Sequence, residues 1–149
     1  MIPMNPWEHQ NAIKALYADC VGDICDKHGI TRMELDILLF LANNPVFDTA
    51  TDIIEVRYLS KSQVSTSIKL LEEHGYIRKE YAMDNKKTAH LKIDEAAYLI
   101  VEDGRRAQEK FLGIMLHGFT ECEIQSMKEY FDRMRNNING YLKEKTNDI

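Results

Sequence analysis

The 149-residue sequence predicts a mainly α-helical fold with one small β-hairpin. Apolar residues recur at spacings of three and four along most of the chain, which is the pattern of amphipathic helices. Four helix start signals, each a Ser or Thr followed three residues later by Glu, Asp or Gln, divide that pattern into separate helices. Only residues 76–93 change to the alternating β-branched and aromatic pattern of strands.

Three of the start signals lie in the first half of the chain and define its helices. The predicted helices are residues 7–28, a second from Thr31 that stops before Pro45, a short third from Thr49 to about Tyr58, and a fourth from Ser60. Gly75 ends the fourth helix, because glycine readily adopts the left-handed conformation of a helix C-terminus. In the third helix, Ile53, Ile54 and Val56 are available for burial.

The second half of the chain begins with the predicted hairpin. Its strands are residues 76–81 and 88–93, with the polar segment 83–87 as the turn between them. A long helix follows from near Asp94 to about His117, and Thr120 caps a last one. The apolar stripe of that last helix consists of Ile124, Met127, Phe131, Met134, Ile138, Tyr141 and Leu142.

Charge is distributed unevenly, although the net charge is -5. Residues 1–56 hold 3 Lys or Arg against 9 Asp or Glu, and residues 93–149 hold 8 against 11. Residues 57–92 hold 8 against 4, so a basic segment lies between two acidic ones. Acidic surroundings direct a polyanion toward the one basic face.

The order of elements is that of a winged helix-turn-helix, in which two short helices and a tight turn precede a hairpin. With Val64, Ile68 and Leu71 turned inward, the fourth helix presents a polar face that suits a DNA major groove. We therefore predict contacts to double-stranded DNA from this helix and from the hairpin. The predicted DNA-binding residues are Ser60, Lys61, Ser62, Gln63, Ser65, Thr66, Lys69, Lys86 and Lys87.

Several stretches resemble the MarR family of bacterial transcriptional regulators, and the likeness covers nearly the whole chain. They are Ile30-Thr-Arg-Met-Glu-Leu-Asp-Ile-Leu-Leu39, Leu59-Ser-Lys-Ser-Gln-Val-Ser65, Leu71-Glu-Glu-His-Gly75, Asp84-Asn-Lys-Lys87, Leu91-Lys-Ile93 and Phe119-Thr-Glu-Cys-Glu123. No single stretch is diagnostic, but their order and spacing together are. The wing of family members usually carries the motif Asp-x-Arg. In this sequence Asn85 occupies the position of that Asp, and Lys87 occupies the position of that Arg.

The resemblance implies a homodimeric transcriptional regulator, expected to be a repressor, that binds a palindromic operator. Residues 1–30 and 94–149 would form a helical dimerisation region, and residues 31–93 the winged helix-turn-helix domain. In many family members a small aromatic or phenolic ligand releases the DNA. The apolar stripes of the terminal helices agree with a dimer, since they exceed what one small domain buries.

Other functions find less support in the sequence. No signal peptide and no run of about 18 apolar residues is present, so we expect a cytoplasmic protein without a membrane anchor. No catalytic motif is recognisable, so we expect neither enzyme activity nor a cofactor. The five histidines show no pair at i and i+4, which argues against metal sensing.

Two alternatives stay open. Cys20, Cys25 and Cys122 form no C-x-x-C pair and are expected to be free thiols, yet a hydroperoxide-sensing branch of the MarR family uses a cysteine on the first helix. The winged domain can also serve protein contact, with Leu70, Tyr76 and Tyr81 as the partner patch.

Overall fold

The computed structural model describes residues 4–147, which form six α-helices and one antiparallel hairpin. The elements are α1 (Pro6–His28), α2 (Arg32–Asn43), α3 (Ala50–Arg57), α4 (Lys61–Glu73), β1 (Ile77–Ala82), β2 (Asn85–Ile93), α5 (Tyr98–Met115) and α6 (Glu121–Asn147). The predicted fold class, mainly α with a small hairpin, is confirmed.

The chain divides into two compact units, residues 1–111 and residues 112–149. The first unit contains α1 to α4, the hairpin and most of α5, and the second contains the end of α5 and all of α6. The functional division into a dimerisation region and a winged domain stays a prediction.

Side-chain caps fix where the helices begin. Thr31 and Thr49 each accept a hydrogen bond from the backbone N–H three residues on, and the Glu34 and Asp52 carboxylates accept the N–H of Thr31 and Thr49 in return. These reciprocal pairs satisfy backbone donors that a helix start leaves free. Thr120 and Glu123 form the same pair before α6. At the start of α4, Ser60 accepts from the Gln63 N–H without a return bond.

The core of the first unit is built around α2. Five consecutive residues, 37–41, are buried, so α2 is covered on nearly every side. Around it lie buried apolar side chains from every other element of the unit: Val21, Ile24, Ile53, Val64, Ile68, Leu71, Ile77, Leu91, Ile100 and Val101. The C-terminal half of α1 and the N-terminal half of α5 therefore share one core with the winged helix-turn-helix.

The end of α4 is held against the start of α2. Glu34 is only 2% exposed, and its second oxygen lies 3.2 Å from Nδ1 of His74, close enough for an ion pair when the imidazole is protonated. The next residue, Gly75, has the left-handed φ of 75° that the sequence predicted for the end of this helix. The chain then enters the hairpin at Ile77, which is buried in the core.

The hairpin differs from the predicted one in its turn. We expected residues 83–87 to form the turn, but Asn85, Lys86 and Lys87 belong to β2, and only Met83 and Asp84 connect the strands. Glu80 pairs with His90 and Ala82 pairs with Asn85, so residues 86–89 of β2 stand opposite Tyr81 alone. The alternation of residue types along the sequence did not predict this bulge. A bulge adds residues to one strand without a counterpart on the other, and the sequence of a single strand does not show which residues pair.

Two smaller expectations were also wrong. Val56 is exposed although it lies one turn after the buried Ile53, because the last turn of α3, residues 55–58, is exposed throughout. The helix expected near Asp94 is first a 3-10 turn, Glu95–Ala97, and becomes α-helical at Tyr98; it ends at Met115, two residues before the predicted end.

The second unit buries none of the α6 side chains. Its apolar stripe leaves Phe131, Ile138, Tyr141 and Leu142 exposed. Within residues 4–147, no helix combines the length and the apolar character that crossing a membrane requires.

Gly104 of α5 allows a close approach to α2, and this contact yields a test of the core. A Cβ at residue 104 would lie 2.6 Å from Cδ2 of the buried Leu39, and Cγ of that leucine would be 3.1 Å away. We expect Gly104→Ala to lower the free energy of unfolding by about 1–2 kcal/mol, since overpacking costs more than the helix propensity of alanine returns. Chemical denaturation measures the change.

Gly22 of α1 is the matched control, because a Cβ there meets no atom within 4 Å. Gly22→Ala should raise the stability by up to about 1 kcal/mol, as expected for alanine in an open helix position. Equal effects of the two substitutions would contradict the packing described for Gly104.

Candidate nucleic-acid interface

Helix α4 has one buried face and one exposed polar face. Val64, Ser67, Ile68 and Leu71 are buried, so the helix lies on the core along one side. The predicted DNA-binding residues of the helix are all exposed on the other side: Lys61, Ser62, Gln63, Ser65, Thr66 and Lys69. Short polar side chains on an exposed helix are suited to contacts with base edges and phosphates.

Ser60 has a structural role in addition to its predicted role in DNA binding. Its hydroxyl oxygen accepts the Gln63 N–H over 3.2 Å and so caps the N-terminus of α4. A hydroxyl group that accepts one hydrogen bond can still donate its own proton. The cap therefore fixes where Lys61 and Ser62 stand and leaves Ser60 able to donate to a phosphate oxygen.

The turn between α3 and α4 contains a residue that the sequence did not single out. Tyr58 has a φ of 53°, a left-handed conformation that costs an ordinary residue roughly 1 kcal/mol, and its side chain is 75% exposed. Glycine adopts this conformation without that cost. No sequence pattern identified this position, because the turn that demands the conformation is set by the packing of α3 and α4.

A groove of about 530 Å³ lies between the start of α3, the side of α4 and the hairpin. It brings together three of the predicted residues, Ser65, Lys69 and Lys87. It is also lined by polar residues that the sequence analysis did not select, namely Thr49, Thr51, Glu72, Lys79 and Thr88. Lys79 belonged to the basic segment, but only the register of the hairpin places it beside α4.

Asn85 shapes the tip of the hairpin. Its side-chain oxygen accepts hydrogen bonds from the backbone N–H groups of Lys87, at 3.0 Å, and Thr88, at 3.3 Å. Its amide nitrogen donates to the Thr88 hydroxyl oxygen over 3.0 Å. Asparagine commonly forms such local turns, which compete with regular ladder bonds. The backbone that carries Lys86 and Lys87 is thus organised by one neighbouring side chain.

Ion pairs neutralise one part of the basic segment and leave another part available. Arg78 pairs with Glu80 and Asp94, and Lys79 pairs with Glu72 at 3.2 Å. Among residues 4–147, the lysines without a carboxylate within ion-pair distance include all four that were predicted to bind DNA: Lys61, Lys69, Lys86 and Lys87. Their charge remains available for phosphate groups.

A family comparison agrees with this geometry. Residues 28–82 match the family model described as MarR family. The matched residues extend from the end of α1 through α2, α3 and α4 to the end of β1. Over those residues the chain is similar to the MarR family. The MarR family consists of transcription regulators. Among curated proteins, none matches this chain significantly.

Solved structures extend the likeness to the whole MarR fold. A MarR-family regulator from Listeria monocytogenes, solved with a 26mer DNA, superposes with a TM-score of 0.80 at 20% identity, covering 92% of this chain and 90% of that one. The regulator SlyA gives 0.76 at 22% identity, covering 91% and 94%. A MarR protein from Peptoclostridium difficile gives 0.75 at 17% identity, covering 96% and 95%. The predicted family resemblance is confirmed.

The wing contains the Asn85 and Lys87 noted in the sequence. Lysine lacks the planar guanidinium that binds two phosphate oxygens at once, but it carries the same charge. The carboxamide oxygen of Asn85 accepts the backbone N–H groups of Lys87 and Thr88, as the carboxylate oxygen of an aspartate at residue 85 would. The local turn therefore does not depend on an aspartate at residue 85.

The thiols and histidines were the other candidate site residues in the sequence. Burial raises the pKa of the Cys25 thiol, although Arg32 opposes the shift, and a raised pKa disfavours the reactive thiolate. Cys122 is exposed and Cys20 is half-buried. Across residues 4–147, no group of three His, Cys, Asp or Glu side chains is placed to hold a metal ion.

Proposed function

We propose that this MarR-family chain is a sequence-specific DNA-binding transcriptional repressor of the cytoplasm, which binds a palindromic operator as a homodimer. The observation that carries the proposal is the polar face of α4, with Lys61 and Lys69 unpaired on it, beside a hairpin that presents the unpaired Lys86 and Lys87. A helix of this kind next to a basic wing is the arrangement by which winged domains bind a duplex.

The first turns of α4 are proposed to read base edges. Ser65 and Thr66 are exposed one turn after the cap at Ser60, and both carry hydroxyl groups that donate and accept hydrogen bonds. Small hydroxyl side chains permit the backbone of a helix to approach the floor of a major groove closely. Sequence information comes from such contacts, because each base pair presents a different pattern of donors and acceptors there.

The lysines are proposed to bind phosphate groups. Lys69 and Lys87 line the two sides of one groove, and Lys86 is exposed at the end of the hairpin. The start of α3 lies along the same groove, where the hydroxyl group of Thr51 can donate to a phosphate oxygen. The likeness to the Listeria regulator that was solved with DNA supports a duplex as the polyanion.

The apolar surface of α1 and α6 supports the homodimer. Trp7 and Ile13 of α1 are exposed, as are Phe131, Ile138 and Tyr141 of α6. A 27-residue helix that buries no side chain of its own has little to stabilise it in water, because helices in proteins depend on packing of an apolar face. A second copy of the chain provides that packing. Release of DNA by a small aromatic or phenolic ligand stays a prediction.

A winged domain used for protein contact is the alternative. Its partner patch would consist of Leu70, Tyr76 and Tyr81. Leu70 and Tyr76 are half-buried, and only Tyr81 is exposed. An apolar docking patch of that composition offers too little exposed area, which favours the DNA-binding proposal.

Two substitutions separate base contacts from phosphate contacts. Thr66→Ala should lower affinity for the cognate palindrome by about 1–3 kcal/mol per lost base contact and reduce the preference among sequences. Lys87→Ala should weaken all sequences alike and lessen the slope of log affinity against log salt by about 1 per protomer. Fluorescence anisotropy at several salt concentrations measures both effects.

Lys143→Ala is the control for charge alone, because Lys143 is exposed on the side of α6 turned away from Ile138 and lies outside both the proposed DNA interface and the proposed dimer surface. It should leave the salt slope unchanged. If Lys87→Ala also leaves the slope intact, the wing does not contact DNA through that residue.

The oligomeric state tests the second part of the proposal. Sedimentation velocity should find a dimer at micromolar protein, and Ile138→Glu should convert it to a monomer, since a carboxylate in an apolar interface carries a desolvation cost. Asn136→Glu adds the same charge on the opposite face of α6 and should leave the dimer intact. A wild-type monomer, or equal effects of the two variants, contradicts the proposed interface.

A further inference from the structure

Asp48, in the loop between α2 and α3, contacts three consecutive residues of strand β2. Its carboxylate accepts a hydrogen bond from Nδ1 of His90 over 2.8 Å and one from Nζ of Lys92 over 3.0 Å. Its backbone carbonyl accepts the N–H of Leu91 over 2.7 Å. His90 and Lys92 point to one face of the strand, and the Asp48 carboxylate binds both of them.

The position of Asp48 in the chain makes this attachment consequential. The next residue, Thr49, caps α3 and lines the groove between α3, α4 and the hairpin, and Leu91 lines the same groove from the wing. Asp48 therefore joins one wall of the groove to another. The Asp48 side chain is 16% exposed, whereas those of His90 and Lys92 are 38% and 42% exposed, so it is the shared carboxylate that is shielded from water.

The hairpin needs such an attachment. A two-stranded sheet is at best marginally stable by itself, so the wing depends on what holds it to the rest of the unit. Ile77 and Leu91 anchor its base in the core. The Lys79–Glu72 pair also links it to α4, but the Glu72 carboxylate is 34% exposed and has one ion-pair partner, whereas the Asp48 carboxylate is 16% exposed and has two.

The Asp48 carboxylate is charged at neutral pH. Burial alone would raise its pKa, but the hydrogen bonds from His90 and Lys92 outweigh burial and lower it. A lowered pKa means that the interaction is present above the unfolded-state value of about 3.9 and is lost only as the pH falls through and below it.

We infer that Asp48 is a positioning residue for DNA binding, which fixes the wing relative to α3 and so determines where Lys86 and Lys87 stand beside α4. The inference rests on the proposed function. Asp48 itself does not contact the nucleic acid; it acts through the strand that carries the two lysines.

The chain contains a matched cluster that separates positioning from general stability. Asp103 of α5 accepts hydrogen bonds from Lys27 Nζ and His28 Nε2, both over 2.9 Å, and its side chain is 14% exposed. The hydrogen bonds from His28 and Lys27 lower the pKa of Asp103, just as the hydrogen bonds from His90 and Lys92 lower the pKa of Asp48. Each aspartate has a lysine and a histidine as partners, and Asp103 also accepts a hydrogen bond from Arg106 Nη2 over 3.2 Å. Asp103 joins α1 to α5, away from the wing.

The experiment compares Asp48→Asn with Asp103→Asn in the full-length chain. Hydrogen exchange of the free protein reports how firmly β2 is held, and anisotropy with a random-sequence duplex reports the salt slope. Asp48→Asn should speed exchange across β2 severalfold and lessen the slope by about 1–2 per protomer, because Lys86 and Lys87 no longer stand at fixed places. Asp103→Asn should leave the exchange of β2 and the slope as in the wild type, even if it lowers the melting temperature.

Lys92→Met is the milder variant should Asp48→Asn fail to fold. It keeps the aliphatic stem, removes one of the two side-chain bonds to Asp48, and should give faster exchange in β2 than its counterpart Lys27→Met. Only the exchange measurement is used for this pair, since Lys92 adds charge near the interface.

Equal exchange in β2 for the Asp48 and Asp103 variants would overturn the inference. Faster exchange with an unchanged salt slope would also overturn it, because the wing would then be held by Asp48 without consequence for DNA. If the wild-type chain binds no duplex, the proposed function fails, and the exchange data still decide whether Asp48 holds the wing.

Discussion

The burial of α2 is the constraint on which the rest of the first unit depends. Residues 37–41 of this helix are all buried, and α1, α4, α5 and the hairpin each place apolar side chains in the same core. At Gly104 the approach of α5 leaves no space for even one methyl group beside Leu39. The exposed face of α4 is therefore determined by its buried face, which has one way to pack on α2.

Polar contacts link further elements to this core at its edges. The Glu34 carboxylate caps α2 and lies beside His74 at the end of α4, and Asp48 links the start of α3 to β2. Each joins an element of the core to an element of the proposed interface. Both carboxylates are shielded from water, Glu34 at 2% and Asp48 at 16% exposure, while their partners are partly exposed. The Glu34 oxygen beside His74 accepts no hydrogen bond within the described residues, whereas Asp48 accepts two through its side chain. The lysines proposed to bind phosphates have no such partner in the described residues, which leaves their charges for a ligand.

Local chemistry made most of the fold predictable. Thr31, Thr49 and Thr120 identified helix starts because a cap and its partner lie three residues apart in the sequence, and Gly75 identified a helix end for a similarly local reason. The polar face of α4 followed from the period of an α-helix once its buried residues were identified.

Features that depend on distant parts of the chain were not predictable in the same way. The bulge at residues 86–89, the left-handed Tyr58 and the place of Lys79 in the groove arise from packing between elements. Asp48 carries no local motif, since its partners lie 42 and 44 residues away. Val56 follows the helical pattern of the buried Ile53 and is nevertheless exposed, because the core does not extend over the last turn of α3.

The most direct test of the account is the affinity of the purified chain for duplex DNA as a function of salt. Anisotropy would compare a duplex from the DNA upstream of its own coding sequence with a random-sequence duplex of equal length. Binding should weaken linearly with log salt for both duplexes, since each contacted phosphate releases counterions, and the upstream duplex should bind more tightly at every salt concentration. Absence of duplex binding, or equal affinity for the two sequences, would contradict a sequence-specific regulator.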